Sequence, residues 1–147
     1  FDVADSFANG YARVKINDKW GYIDEKGSIV IQPQFDNASN FADNGLAEVE
    51  VNGKLGFIDK TGNFVIQPQF DEAYDFADNG LAAVGVNGKW GFIDEKGNIV
   101  TQPQYESMYI YDYYTDGYIR VLADGKWGVI DNTGKIVIAF IYEDIAW

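Results

Sequence analysis

One string of residues is written four times along this chain, and that repetition limits what it can fold into more than any other feature. KWGYIDEKGSIVIQPQFD at residues 19–36 returns as KLGFIDKTGNFVIQPQFD at 54–71, as KWGFIDEKGNIVTQPQYE at 89–106 and as KWGVIDNTGKIVIAFIYE at 126–143. A second shared segment precedes each string, most clearly FDNASNFADNGLAEVEVNG at 35–53 and FDEAYDFADNGLAAVGVNG at 70–88. A weaker version begins at Phe1 and a divergent one at Tyr105. The copies run 1–34, 35–69, 70–104 and 105–141 within one repeat domain spanning 1–147, and residues 142–147 reproduce the opening of a fifth copy or form a cap. A unit of about 35 residues cannot bury a core alone, so neighbouring copies must stack.

Within a copy the patterning is that of β-structure. Ala47, Val49 and Val51 alternate with Leu46, Glu48 and Glu50, the period of two expected of a strand with one buried face. Asn52-Gly53, Asn87-Gly88 and Asp124-Gly125 follow such runs and suit the positive φ angles of a type I′ hairpin. The second strand is WGFID and the third is IVIQPQ or its variants, rich in β-branched residues. Between them Asp94-Glu95-Lys96-Gly97 and its equivalents place Asp first and Gly fourth, which is tight-turn chemistry. Phe70, Ala73 and Phe76 recur at intervals of three, the spacing of a short helical turn linking successive meanders.

The expected fold is therefore all-β: four tandem three-stranded antiparallel meanders in an open solenoid-like array. The alternative, a propeller-like ring, ordinarily uses four-stranded blades of about 40 to 45 residues.

These motifs resemble the WG-repeat family of bacterial proteins, named for a Trp-Gly pair present here as Trp20-Gly21, Trp90-Gly91 and Trp127-Gly128. The resemblance rests on Lys-Trp-Gly, Ile-Asp, the turn glycine and Phe-Asp, and covers nearly the whole chain. It implies a β-repeat scaffold of variable copy number, and speaks to architecture more than to biochemistry. The pattern is broken at Leu55, where tryptophan is missing, and in the last copy, where Ala139, Phe140 and Ile141 replace Gln-Pro-Gln.

Composition narrows the function. With 16% aromatic and 47% apolar residues the chain can offset its ordering entropy by burial. The net charge of -12 would repel a phosphate backbone or an anionic membrane surface, so nucleic acid is not an expected partner. No cysteine is present, hence no disulfide framework and no thiolate metal site. No run of 18 or more apolar residues is available for membrane insertion. A start at Phe1 without methionine is expected of a processed or excised segment, and a cell-surface or extracellular location is the favoured one.

Catalysis is the weakest expectation. The chain has no histidine, which removes the commonest general base, and its recurrent acids sit in repeated turns rather than in one asymmetric constellation. No cofactor is called for. Asp43-Asn44-Gly45 and Asp78-Asn79-Gly80 offer oxygen ligands but lack the spacing of a calcium loop, and a turn explains them, so no metal site is expected. The tryptophans read as a core ladder, with the following glycine admitting a neighbouring strand or ring.

The break in repetition is the best candidate surface. Residues 105–118 are two residues longer than their equivalents and carry Tyr109, Tyr111, Tyr113 and Tyr114 around Asp112. Tyrosine gives large contact area with a hydrogen-bonding tip and little rotamer entropy to lose, which suits recognition, although the same residues could cap the array. The expected function is a non-catalytic module that binds a glycan or a protein through Tyr109, Tyr111, Asp112, Tyr113 and Tyr114. The alternative is a self-associating structural subunit whose open ends or edge strands join other copies.

Overall fold

A computed structural model of the chain describes residues 2–109 and 117–146. The chain divides into two compact units, Phe1–Phe70 and Asp71–Trp147, each holding two copies of the repeat.

In the first unit one sheet is formed by β1 (Val3–Ala4), β2 (Tyr11–Ile16), β3 (Lys19–Asp24) and β4 (Ile29–Phe35), and the next by β5 (Asn37–Ala38), β6 (Ala47–Val51), β7 (Lys54–Ile58) and β8 (Phe64–Phe70). The second unit repeats this with β9 (Glu72–Ala73), β10 (Leu81–Val86), β11 (Lys89–Asp94) and β12 (Ile99–Tyr105), then β13 (Ser107–Met108), β14 (Tyr118–Ala123), β15 (Lys126–Asp131) and β16 (Ile136–Tyr142). Every sheet is an antiparallel meander in chain order. Among the described residues no element is a helix and no sheet closes into a barrel. The fold is the expected all-β repeat array.

Two details differ from the sequence reading, and they have one cause. Each meander has a fourth, two-residue strand at its opening edge, and this strand stands where a helical turn was expected. Glu72 and Ala73 pair with Gly85 and Val84, and the ladder is extended by Asp71 N–H donating to the Gly85 carbonyl at 2.9 Å and Tyr74 N–H to the Ala83 carbonyl at 2.9 Å. The chain leaving β8 passes beside the unpaired edge of β10, where its backbone groups gain partners that a single helical turn could not supply. The three-residue spacing of Phe70, Ala73 and Phe76 thus marks a strand end, a strand residue and a loop residue.

The hairpins follow their sequence chemistry. Asn52-Gly53 has φ of 52° and 79°, Asn87-Gly88 52° and 76°, and Asp124-Gly125 50° and 75°, the left-handed pair that a type I′ turn requires. The Asp of Phe-Asp fastens the same turns from outside. Asn52 N–H donates to Asp36 Oδ2 at 2.8 Å and Asn87 N–H to Asp71 Oδ2 at 2.8 Å.

The glycine of Trp-Gly is dictated by a bulge. Trp20 pairs with Phe35 while Tyr22 pairs with Ile31, so the Gln32-Pro33-Gln34 segment arches across the strand at Gly21. A Cβ on Gly21 would lie 2.5 Å from the Ile31 carbonyl oxygen and 2.7 Å from Pro33 N. At Gly56 the corresponding distances are 2.6 and 2.8 Å, and at Gly91 a Cβ would meet the Thr101 carbonyl oxygen at 2.3 Å. Backbone lies against backbone here, so only glycine fits.

The core of each unit lies between its two sheets. In the first, Tyr22, Ile31 and Phe35 of one sheet meet Ala38, Ala47, Val49 and Ile58 of the next, with Phe41 from the loop among them. Tyr22 Oη donates to the Ser39 carbonyl at 2.7 Å, and burial pushes the phenol's pKa up. In the second unit Phe92 and Tyr105 meet Ile119, Val121 and Ile130. Each such side chain is worth about 1.5–3 kcal/mol when fully buried.

Candidate functional site

The tryptophans do not fill the core as the sequence reading held. Trp20, Trp90 and Trp127 are half-buried, and Trp20 and Trp90 pack against the edge of a core cluster. The reason is position: each is the second residue of its strand, after an exposed or half-buried lysine and two residues short of the core site held by Tyr22, Phe92 or Val129. Trp90 stacks on Tyr74 with ring centres 5.3 Å apart, Trp127 lies against Tyr109 at 4.8 Å, and Trp20 sits under the Arg13 guanidinium at 5.1 Å. Leu55 has Ser39 where Tyr74 and Tyr109 stand in later copies, and lines a cleft of about 30 Å3 with Asn37, Glu48 and Glu50. Loss of the indole accompanies loss of its stacking partner. Trp90→Ala is therefore expected to cost about 1–3 kcal/mol, less than a fully buried aromatic, while Leu55→Trp stays within about 1 kcal/mol of the parent in urea midpoints.

The recurrent aspartates are built into turns. Asp59 Oδ1 accepts from Thr61 N–H at 2.9 Å, Asn63 N–H at 3.1 Å and the Thr61 hydroxyl at 2.5 Å. Asp131 Oδ1 accepts likewise from Thr133 N–H at 2.9 Å, Lys135 N–H at 3.0 Å and the Thr133 hydroxyl at 2.6 Å. The threonine hydroxyl in each case, with the backbone donors, holds the carboxyl below the usual carboxylate range. A depressed folded pKa adds stability above the unfolded value of about 3.9, and that stability is lost as pH falls through the folded one. Thr61→Val with Thr133→Val should lower stability at neutral pH but leave it nearly unchanged at about pH 2, measured by urea unfolding across pH. In the Asp-Asn-Gly loops, Asn44 Oδ1 accepts from Leu46 N–H and Asn79 Oδ1 from Leu81 N–H, each at 3.0 Å, so these amide oxygens serve the loop itself.

The face of the fourth sheet is different. Ile138 and Tyr142 occupy the positions of Ile31 and Phe35, yet they are 37% and 45% exposed where those are 4% and 1%. Beside them the residues after β16 form a groove of about 280 Å3 lined by Ile138, Tyr142, Asp144, Ile145 and Ala146. Arg120 Nη1 donates to the Ile145 carbonyl at 2.8 Å, as Arg13 Nη1 donates to the Ala38 carbonyl at 2.6 Å, so Ile145 stands to its sheet as Ala38 does to the first.

Of the sequence candidates, Tyr109 is on this face. Its ring lies against Trp127 with the Arg120 guanidinium 3.8 Å from its centre, and its hydroxyl donates to Asp144 Oδ1 at 3.2 Å. Tyr111, Asp112, Tyr113 and Tyr114 lie outside the described residues. Arg120, Ile138, Tyr142 and Asp144 were not singled out from the sequence. The available signal was the replacement of Gln-Pro-Gln by Ala139-Phe140-Ile141 beside a fifth opening motif.

Fold and groove together define an all-β repeat protein with a solvent-facing aromatic and apolar surface on its fourth sheet. The sequence model of the WG containing repeat matches residues 1–20, 20–54, 56–90, 90–127 and 127–146. The chain belongs to that family. No curated protein matches it. Among solved structures it is similar to a plant lectin with two metal binding sites from Cicer arietinum, at 12% identity and a TM-score of 0.33, over 97% of this chain and 88% of that one. A likeness at that score bears on neither fold nor ligand.

Proposed function

We propose that this chain is a non-catalytic binding module and that the face of the fourth sheet is its recognition surface. The observation that carries the reading is the exposure of Ile138 and Tyr142, at positions buried in the first sheet, beside a groove whose lining includes Asp144. A concave apolar lining with few polar groups is the usual form of a ligand site. This lining suits an apolar segment of a protein partner better than a sugar, and a glycan is the other outcome of the same screen. The turn-bound aspartates and the lack of histidine support a role without catalysis.

The test is an unbiased protein and glycan array probed with the parent, with Tyr142→Ser, and with Tyr111→Ser, Tyr113→Ser and Tyr114→Ser. Truncating an interface aromatic commonly costs 2 kcal/mol or more, so Tyr142→Ser should weaken any captured ligand by about thirtyfold while leaving the thermal midpoint near the parent's. Binding unchanged in Tyr142→Ser would overturn the assignment of the face.

A second reading, a self-associating subunit, is favoured by a separate observation: the closing edge strand of the fourth sheet lacks the proline and glutamines carried by the other three.

A further inference from the structure

β4, β8 and β12 each end their sheet, and each carries a proline flanked by two glutamines, at Pro33, Pro68 and Pro103. Proline lacks the N–H that a neighbouring strand would use, and such residues are a common guard against edge-to-edge pairing. β16 closes the fourth sheet with the sequence IVIAFIY, which has no proline, no glycine and no charge. Along it Ile136, Val137, Ile138, Ile141 and Tyr142 are all exposed, and its partner strand among the described residues is β15 alone. A neutral segment of this length and β-propensity on a free edge is a template for another strand.

The flanking charges specify which strand. Lys135 precedes β16 and Glu143 follows it, both exposed. We propose that β16 is the edge through which two copies of this chain pair, antiparallel about a two-fold axis at Ala139. That register sets Lys135 of each copy opposite Glu143 of the other, Ile136 opposite Tyr142, and Val137 opposite Ile141. Residues directly opposite share a face, so each end of the joint closes with an opposite-charge pair. The same surface meets itself, as a two-fold interface requires. The pairing also keeps a chain of net charge -12 from opposing like charges at the joint, because the strand itself is neutral. Glu143 already lies 3.5 Å from Lys126, and its 91% exposed side chain is open to a second cation. β16 is irregular against β15 at two points, between Ile136 and Ile138 and between Ile138 and Tyr142, so the pairing runs as short ladders on either side of the axis rather than as one continuous ladder.

The proposal rests on the self-association reading and not on the ligand-binding one. Sedimentation velocity of the chain from low micromolar to several hundred micromolar tests it, with circular dichroism to verify folding. The parent should pass from monomer to dimer. Ala139→Gln with Ile141→Gln, which restores the glutamines of the other copies, should weaken the dimer by about tenfold or more. Lys135→Glu should weaken it by about tenfold, and adding Glu143→Lys should restore it, because the pair is then reversed in sign at both ends. A dimer indifferent to these changes, or not rescued by the double reversal, overturns the β16 joint while leaving self-association standing. A chain that stays monomeric throughout overturns both, and leaves the edge to a strand from a different protein.

Discussion

Replacing Gly91 with alanine is expected to destabilise the chain by about 3 kcal/mol or more, and a shift in the urea midpoint measures it. The added methyl would sit 2.3 Å from the Thr101 carbonyl oxygen, 2.7 Å from Gln102 C and 2.7 Å from Pro103 N. All three are backbone atoms of the bulged strand, so relief requires moving β12 rather than turning a side chain. Thr101 and Tyr105 on that strand are both buried, and a displaced β12 would open the core around Phe92. Gly88 supplies the control. It has φ of 76° and open space around its missing Cβ, so Gly88→Ala should cost about 1 kcal/mol from backbone strain alone. Equal losses at the two sites would mean that the close approach at Gly91 has no steric consequence.

Phe41→Ala is expected to cost about 3–5 kcal/mol, whereas Phe7→Ala at the same motif position should stay within about 0.5 kcal/mol. Phe41 is 2% exposed and Phe7 is 48% exposed. The difference follows from what lies in front of each loop. Phe41 reaches back onto the first sheet, where its ring meets Tyr11 edge-on at 5.4 Å and Tyr22 at 4.8 Å, and its carbonyl accepts from Asn9 Nδ2 at 2.8 Å. Phe7, at the same place in the first copy, stands largely in solvent. Removal of the Phe41 ring leaves a cavity between two sheets, and calorimetric or denaturant unfolding of both variants separates the cases. A loss at Phe7 as large as at Phe41 would contradict the described packing.

Features set by one or two residues were legible in the sequence. Asn52-Gly53 and Asn87-Gly88 announce their hairpins because few residues besides glycine and asparagine accept positive φ, and Asp59 and Asp131 announce turns because their carboxylates reach backbone N–H groups two and four residues ahead. The glycine after tryptophan read correctly as a point of close approach, and its partner is the bulged backbone of the next strand.

Features that depend on what a segment meets were not legible. Glu72-Ala73 is too short to show a period of two, and only the empty edge beside β10 makes it a strand. Tryptophan at a repeated strand position looks buried by its size, yet it stands second in the strand at the margin of the core. For the candidate surface, the tyrosine-rich stretch drew attention to Tyr109, and the face it belongs to was missed. Ile138 matches Ile31 and Tyr142 resembles Phe35 in kind, and the replacement of Gln-Pro-Gln between them marks the copy as different without saying that these two side chains are exposed.

A single residue, Asp36, separates β4 from β5, and likewise Asp71 separates β8 from β9 and Glu106 separates β12 from β13. At these crossings the chain has no slack, since Asp36 and Asp71 also clamp the following hairpin through Asn52 and Asn87. Length differences between copies are confined instead to the stretch between the two-residue strand and the next long strand, one residue shorter in the first copy and two longer in the fourth. The four copies thereby keep the same crossings and the same strand registers while differing in length in one loop each. That loop is the natural place to graft a foreign sequence, because lengthening it alters no crossing and no register.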